Sequence, residues 1–127
     1  ATRKALTWGQ GNQILDTTGS VIYVDDDVLR ALQEDWLIVH IKAEARDMDR
    51  LQADYFDLPK PLVWRDKFVR DTAMSEDDNI RHCYPNLLLS RKAAYEGLSD
   101  VTLTSSFILD VETSMDAIFD AIRAPLS

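Results

Sequence analysis

Trp36-Leu37-Ile38-Val39-His40-Ile41 is apolar at every position except His40. A run of this kind, without alternation, describes a strand covered on both faces in a parallel sheet rather than an edge strand with one wet face. Parallel strands need crossover connections, and the flanking sequence reads as helix on both sides. Upstream, Asp25 caps a helix expected from about Asp26 to Asp35, with Val28, Leu29 and Leu32 on one face and acids in the first turn, where the helix dipole favours them. Downstream, Ala45, Met48, Leu51 and Tyr55 have helical spacing, and Pro59 and Pro61 end that helix.

Further out, Ala1 to Trp8 reads as a helix stopped by Gly9 and Gly11. Gln13 to Asp16 reads as a short strand running into the turn Thr17-Thr18-Gly19-Ser20, with the β-favouring Val21-Ile22-Tyr23-Val24 after it. From about 57 to 83 no period persists, which describes a lid-like loop. Leu87 to Leu98 is helical in pattern, Val101 to Thr104 is strand-like, and a last helix is expected from about Ser114 to Arg123, with Met115, Ile118, Phe119 and Ile122 on one side. The order α-β-α-β-α-loop-α-β-α makes residues 1–127 a single α/β domain, layered around parallel strands.

Composition narrows the function classes. Hydrophobic residues make up 46% of the chain, enough for a core, so a disordered reading is excluded. A formal charge of -8 repels polyanions over most of the surface, so no nucleic-acid partner is expected and any anion site must be a local basic cluster. Cys83 is the only cysteine, which rules out an internal disulfide and favours a reducing compartment. No run of about 18 apolar residues occurs, so no membrane partner is expected and the chain reads as cytoplasmic.

Four features bear on chemistry. Arg91 falls in the middle of the helix face defined by Leu87, Ala94, Tyr95 and Leu98, where a guanidinium needs a partner. It either pairs with a structural aspartate, snorkels to water, or clamps the carboxylate or phosphate of a ligand. The stretch from Lys60 to Arg70 also holds Arg65 and Lys67 in an otherwise acidic chain, and it is either a lid over phosphates or a solvated loop. Trp64 within it either stacks on a base or anchors the loop. Asp16, at the carboxyl end of the expected strand, either holds Mg²⁺ or makes a local turn. Asp25-Asp26-Asp27 is read as helix-start acids, His40 as a core or sheet-end histidine, and adjacent His82 and Cys83 form no dyad. The Gly-x-x-x-x-Gly-Lys-Ser/Thr phosphate loop is absent from these residues.

Three segments in order carry a resemblance: Ile14-Leu15-Asp16-Thr17-Thr18-Gly19-Ser20-Val21-Ile22-Tyr23, Lys60-Pro61-Leu62, and Tyr84-Pro85-Asn86-Leu87-Leu88 on through Arg91 and Tyr95 to Ser99-Asp100-Val101-Thr102. Together the chain resembles the shikimate-kinase-like family of P-loop small-molecule kinases. The resemblance implies a three-layer parallel-sheet P-loop kinase fold, here incomplete, with strands three to five and their helices. It implies Arg91 and Gly19 as substrate-binding residues for a small anionic metabolite, and Asp16 near Mg²⁺. It implies Lys60 as the catalytic lid residue, in the place of the family's arginine, and Arg65 beside it on the nucleotide side. ATP and Mg²⁺ are the cofactors it implies.

The family's first strand, phosphate loop and second strand are expected to precede Ala1. The chain is therefore read as the back part of such a kinase, inactive alone, with a missing N-terminal half or with self-association through exposed sheet edges. A non-catalytic binding or regulatory module on the same scaffold is the alternative, and a generic flavodoxin-like domain is a third.

Overall fold

The computed structural model describes Gly11 and residues 13–58 and 62–124. The expected helix over Ala1 to Trp8 and the expected site residue Lys60 lie outside the described residues. Within them the protein is mixed α/β and mostly helical. Five α-helices, α1 (Asp26–Asp35), α2 (Met48–Asp57), α3 (Glu76–Leu98), α4 (Ser105–Leu109) and α5 (Met115–Arg123), accompany two strands, β1 (Val39–Lys42) and β2 (Val101–Thr104). Single 3₁₀ turns occupy Gly19–Tyr23, Ala45–Asp47 and Arg65–Lys67.

The strands pair in parallel, with Val39 opposite Val101 and Lys42 opposite Thr104. Asp100 ties the entry to the sheet, because its carboxylate accepts from the Ile38 amide at 2.8 Å while its own amide donates to the Ile38 carbonyl. The parallel pairing and the position of β2 agree with the expectation from the sequence, whereas β1 starts at Val39 instead of Trp36 and, with Ile41 59% exposed, is not covered on both faces. A complete three-layer P-loop fold is not what the described residues form.

Gln13 to Asp16 is not a strand. Ile14 is 96% exposed, and Leu15 and Thr17 line a small cavity of about 100 Å³ beside Leu32, Trp36, Leu98 and the entry to β1 instead of pairing with β1. Val21 to Tyr23, β-favouring by composition, winds into the 3₁₀ turn and buries Val21. The lid-like loop is also shorter than expected, because α3 begins at Glu76. Ser75 caps it by accepting from the Asp78 amide at 3.2 Å, and Glu76, Asp77 and Asp78 fill the first turn. Pro85 lies inside α3, where it removes one backbone bond without ending the helix.

The core comprises a stripe of α3 (Cys83, Tyr84 and Leu87, with polar Asn79 at its start) together with Val28 and Leu32 of α1, Val101 and Leu103 of β2, and Val21. Leu87 is fully buried at its centre. Asn79 is buried beside this stripe but satisfied, accepting from the Asp71 amide at 2.7 Å and donating to the carbonyls of Asp71 and Ser75 at 3.1 Å each. It thereby holds the chain entering α3. The last helix forms where it is expected, α5, with Ser114 capping it by accepting from the Ala117 amide, yet none of its residues is buried.

Candidate anion-binding site

α3 places Arg91 and Tyr95 one turn apart, so both side chains reach from the same face of the helix. The turn Gly19–Tyr23 lies across them. Tyr95 donates its hydroxyl to the Gly19 carbonyl at 2.5 Å. A Cβ on Gly19 would stand 2.8 Å from Arg91 Nη1 and 3.0 Å from the Tyr95 oxygen, so any larger residue there would push the ends of both side chains aside.

Arg91 is half-buried. Its Nη2 donates to the Val63 carbonyl at 3.2 Å, its guanidinium sits 5.7 Å from the centre of the Tyr23 ring, and its Nε is buried without a hydrogen-bond partner. Arg65 approaches the same ring at 4.9 Å and donates to the Tyr23 carbonyl at 3.3 Å. Two guanidiniums therefore converge on one aromatic ring. Among the described residues the ion pairs join Lys42 to Glu96, Arg50 to Asp54, Lys67 to Asp66, Arg70 to Glu76 and Arg81 to Asp78, and none neutralises Arg91 or Arg65. The Arg91 charge is felt by its neighbours. Burial pushes the phenols of Tyr84 and Tyr95 above the usual tyrosine range, and Arg91 opposes that rise in both.

An aromatic cluster fixes the segment that carries Val63 and Arg65. Trp64 meets Phe68 edge-on at 5.2 Å and Tyr84 at 6.3 Å, and Tyr84 stacks on Tyr55 at 5.3 Å. Trp64 is thus an anchor for the loop, one of its two expected roles. Arg65 takes a left-handed backbone, φ 53°, that turns the chain toward Tyr23. Arg70 is committed elsewhere, to a two-point pair with Glu76 at 2.6 and 3.2 Å.

Of the residues singled out in the sequence, Gly19, Arg65 and Arg91 come together. Asp16 is exposed in an irregular segment, so the strand end expected to present it does not exist. Among the described residues no group of three or more histidines, cysteines or carboxylates is arranged to hold a metal ion. His40, expected as a core or sheet-end histidine, has its Nδ1 buried with no partner, and its ring lies 5.3 Å from that of Tyr95. Burial lowers its pKa below the ordinary 6.5, with Glu96 opposing and Lys42 and Lys92 adding to the fall. Sequence reasoning missed Tyr23 and the Val63 carbonyl. Nothing in the local pattern marks a backbone carbonyl as an arginine's partner, whereas Tyr23 lies just beyond the quoted turn.

No helix among the described residues is long and apolar enough to cross a membrane. The chain matches no protein-family model, no curated protein and no solved structure in the comparisons made with them.

Proposed function

We propose that the Arg91 site receives the anionic group of a small hydroxylated metabolite, and that the protein in its intact form serves ATP-dependent phosphotransfer to that hydroxyl. The observation that carries this reading is the Arg91 guanidinium, held against Gly19 and Val63 with no carboxylate to neutralise it. An arginine kept for structure alone is normally matched by an acid, and this chain has 22 acidic residues from which to supply one. A planar guanidinium left without a counter-charge on a fixed helix instead suits recognition of a carboxylate or phosphate, which would displace the Val63 carbonyl from it. Arg65 adds a second positive charge across Tyr23, which favours an anion further.

The fit to ATP and Mg²⁺ is incomplete. These residues include no phosphate loop, and Asp16 offers a single exposed carboxylate, with the other positions around Mg²⁺ left to phosphates and water. The part played by the described residues is to bind and orient the acceptor, which in phosphoryl transfer is a large share of the catalysis. Lys60 keeps its proposed place on the lid. A second reading, a non-catalytic binding or regulatory module, is favoured by a separate observation: Ile14, Leu109, Val111 and Met115 are apolar and between 65% and 96% exposed.

Isothermal titration of the full chain with shikimate, as a hydroxycarboxylate probe, and with Mg·ATP tests the proposal. Shikimate binding that falls at least about tenfold in Arg91→Ala, with the melting temperature retained, supports the acceptor site. If neither probe binds, the acceptor site is refuted and the binding-module reading takes its place.

A further inference from the structure

A cavity of about 310 Å³ opens between β1, the Ala45–Asp47 turn, α2 and α3. Its volume is at the small end of the roughly 300–1,000 Å³ range of small-molecule sites. Ile41, Met48, Leu51, Leu88 and Leu89 form apolar walls. Ile41 and Leu89 are 59% and 57% exposed, a cost to the free protein that a bound apolar group removes.

The charged groups in the lining are Arg91, Lys92 and Glu44. Arg91 is engaged by Val63 and Tyr23. Glu44 is engaged too, its carboxylate accepting from the Ser106 amide at 2.9 Å and from the Ser105 hydroxyl at 3.3 Å. Lys92 has no ion pair among the described residues, although Lys42 on β1 is paired with Glu96. His40 also lines the cavity, and its burial favours the neutral ring. The lining thus carries one net positive charge and one uncommitted ammonium in a strongly acidic chain.

We propose that this cavity binds a small monocarboxylate with an apolar body, aryl or short branched alkyl, its body against Met48, Leu51, Leu88 and Leu89 and its carboxylate paired with Lys92. The walls exclude a bare inorganic anion as the preferred ligand, because desolvating it against leucine and methionine gains nothing. The single free ammonium selects one negative charge over none. This site stands on Lys92 and the walls, and not on Gly19, Tyr23 or Arg65, which do not line the cavity.

The test is amide-resolved NMR of the full chain titrated with phenylacetate and, in parallel, with uncharged phenylacetamide. Phenylacetate is expected to shift amides in 41–51 and 88–95 while leaving 19–23 in place, and to bind at least about tenfold more tightly than the amide. Lys92→Gln should erase that preference, and Leu51→Trp, which fills the cavity, should abolish binding of both. The proposal is overturned if phenylacetate shifts nothing, if the shifts fall on 19–23, or if Lys92→Gln binds acid and amide as the unaltered chain does. Shifts on 19–23 with 91 and 95, but none on 41–51, would assign the probe to the Arg91 site, so the failure of one site is read separately from the failure of the other.

Discussion

The Tyr95 hydroxyl hydrogen-bonds the carbonyl of Gly19 at 2.5 Å, joining positions 76 residues apart in the chain. A carbonyl that in a strand would face a neighbouring strand is here answered by a side chain from a helix. Tyr95→Phe keeps the ring and removes the donor. It is expected to cost about 1–2 kcal/mol, and to speed hydrogen exchange in 19–23, measured by denaturant unfolding and amide exchange.

Gly19→Ala separates stability from binding. The atoms its Cβ would meet, Arg91 Nη1 and the Tyr95 oxygen, are the far ends of side chains that can move. Unfolding free energy should therefore change by less than about 1 kcal/mol. Arg91 must leave its position, so the affinity for an anionic acceptor should fall along with the contact. An unchanged affinity would show that the turn does not position Arg91.

Asn79 offers a test of the loop. It is 2% exposed and bonds both the amide and the carbonyl of Asp71, so Asn79→Ala removes the side-chain bonds that hold this segment at the start of α3. A loss of about 2–3 kcal/mol is expected, together with faster proteolytic cleavage within 69–75. Normal protease resistance would place the ordering of that segment elsewhere.

Stability should fall with acid in two steps. His40 resists protonation in the fold, so as pH drops below 6.5 the unfolded chain takes up a proton that the folded one refuses. Glu44 is held below 4.5 by hydrogen bonds from Ser106, and Asp47 below 3.8 by the Ser105 hydroxyl and then the Glu44 amide. Their contribution is complete above those ordinary values and is lost as pH falls through the lower folded ones. Melting temperature followed against pH should lose the upper step in His40→Gln and show a smaller lower step in Glu44→Gln.

Much of this architecture is legible in the sequence where one local signal suffices. Val28, Leu29 and Leu32 behind three aspartates specify α1, and Ser114 ahead of Met115 and Ile118 specifies α5. Val39 to Lys42, at the end of the apolar run, and Val101 to Thr104 form strands because each finds the other. Gln13 to Asp16 has comparable apolar content and no strand partner in the described residues, and a strand is a property of a pair. The start of α3 is hidden by Pro85, which reads as a break, although Ser75 and the acids after it already describe a helix N-terminus. At the candidate site, Arg91 is visible as a misfit on an apolar face. Its partners are not, because a carbonyl on Val63 and a ring at Tyr23 are brought to it by tertiary packing alone.

The parallel pairing of β1 with β2 has a kinetic consequence. Ile38 and Asp100, which lock the entry to the sheet, are 62 residues apart, and closing so long a loop costs entropy before any ladder bond repays it. α3 forms from neighbouring residues and needs no such closure. Arg91 is therefore carried on an element able to assemble early, while Gly19 and Tyr23 reach it only through distant contacts. The candidate anion site is therefore expected to be among the last features a refolding chain acquires, and anion binding there should lag behind the recovery of helical signal.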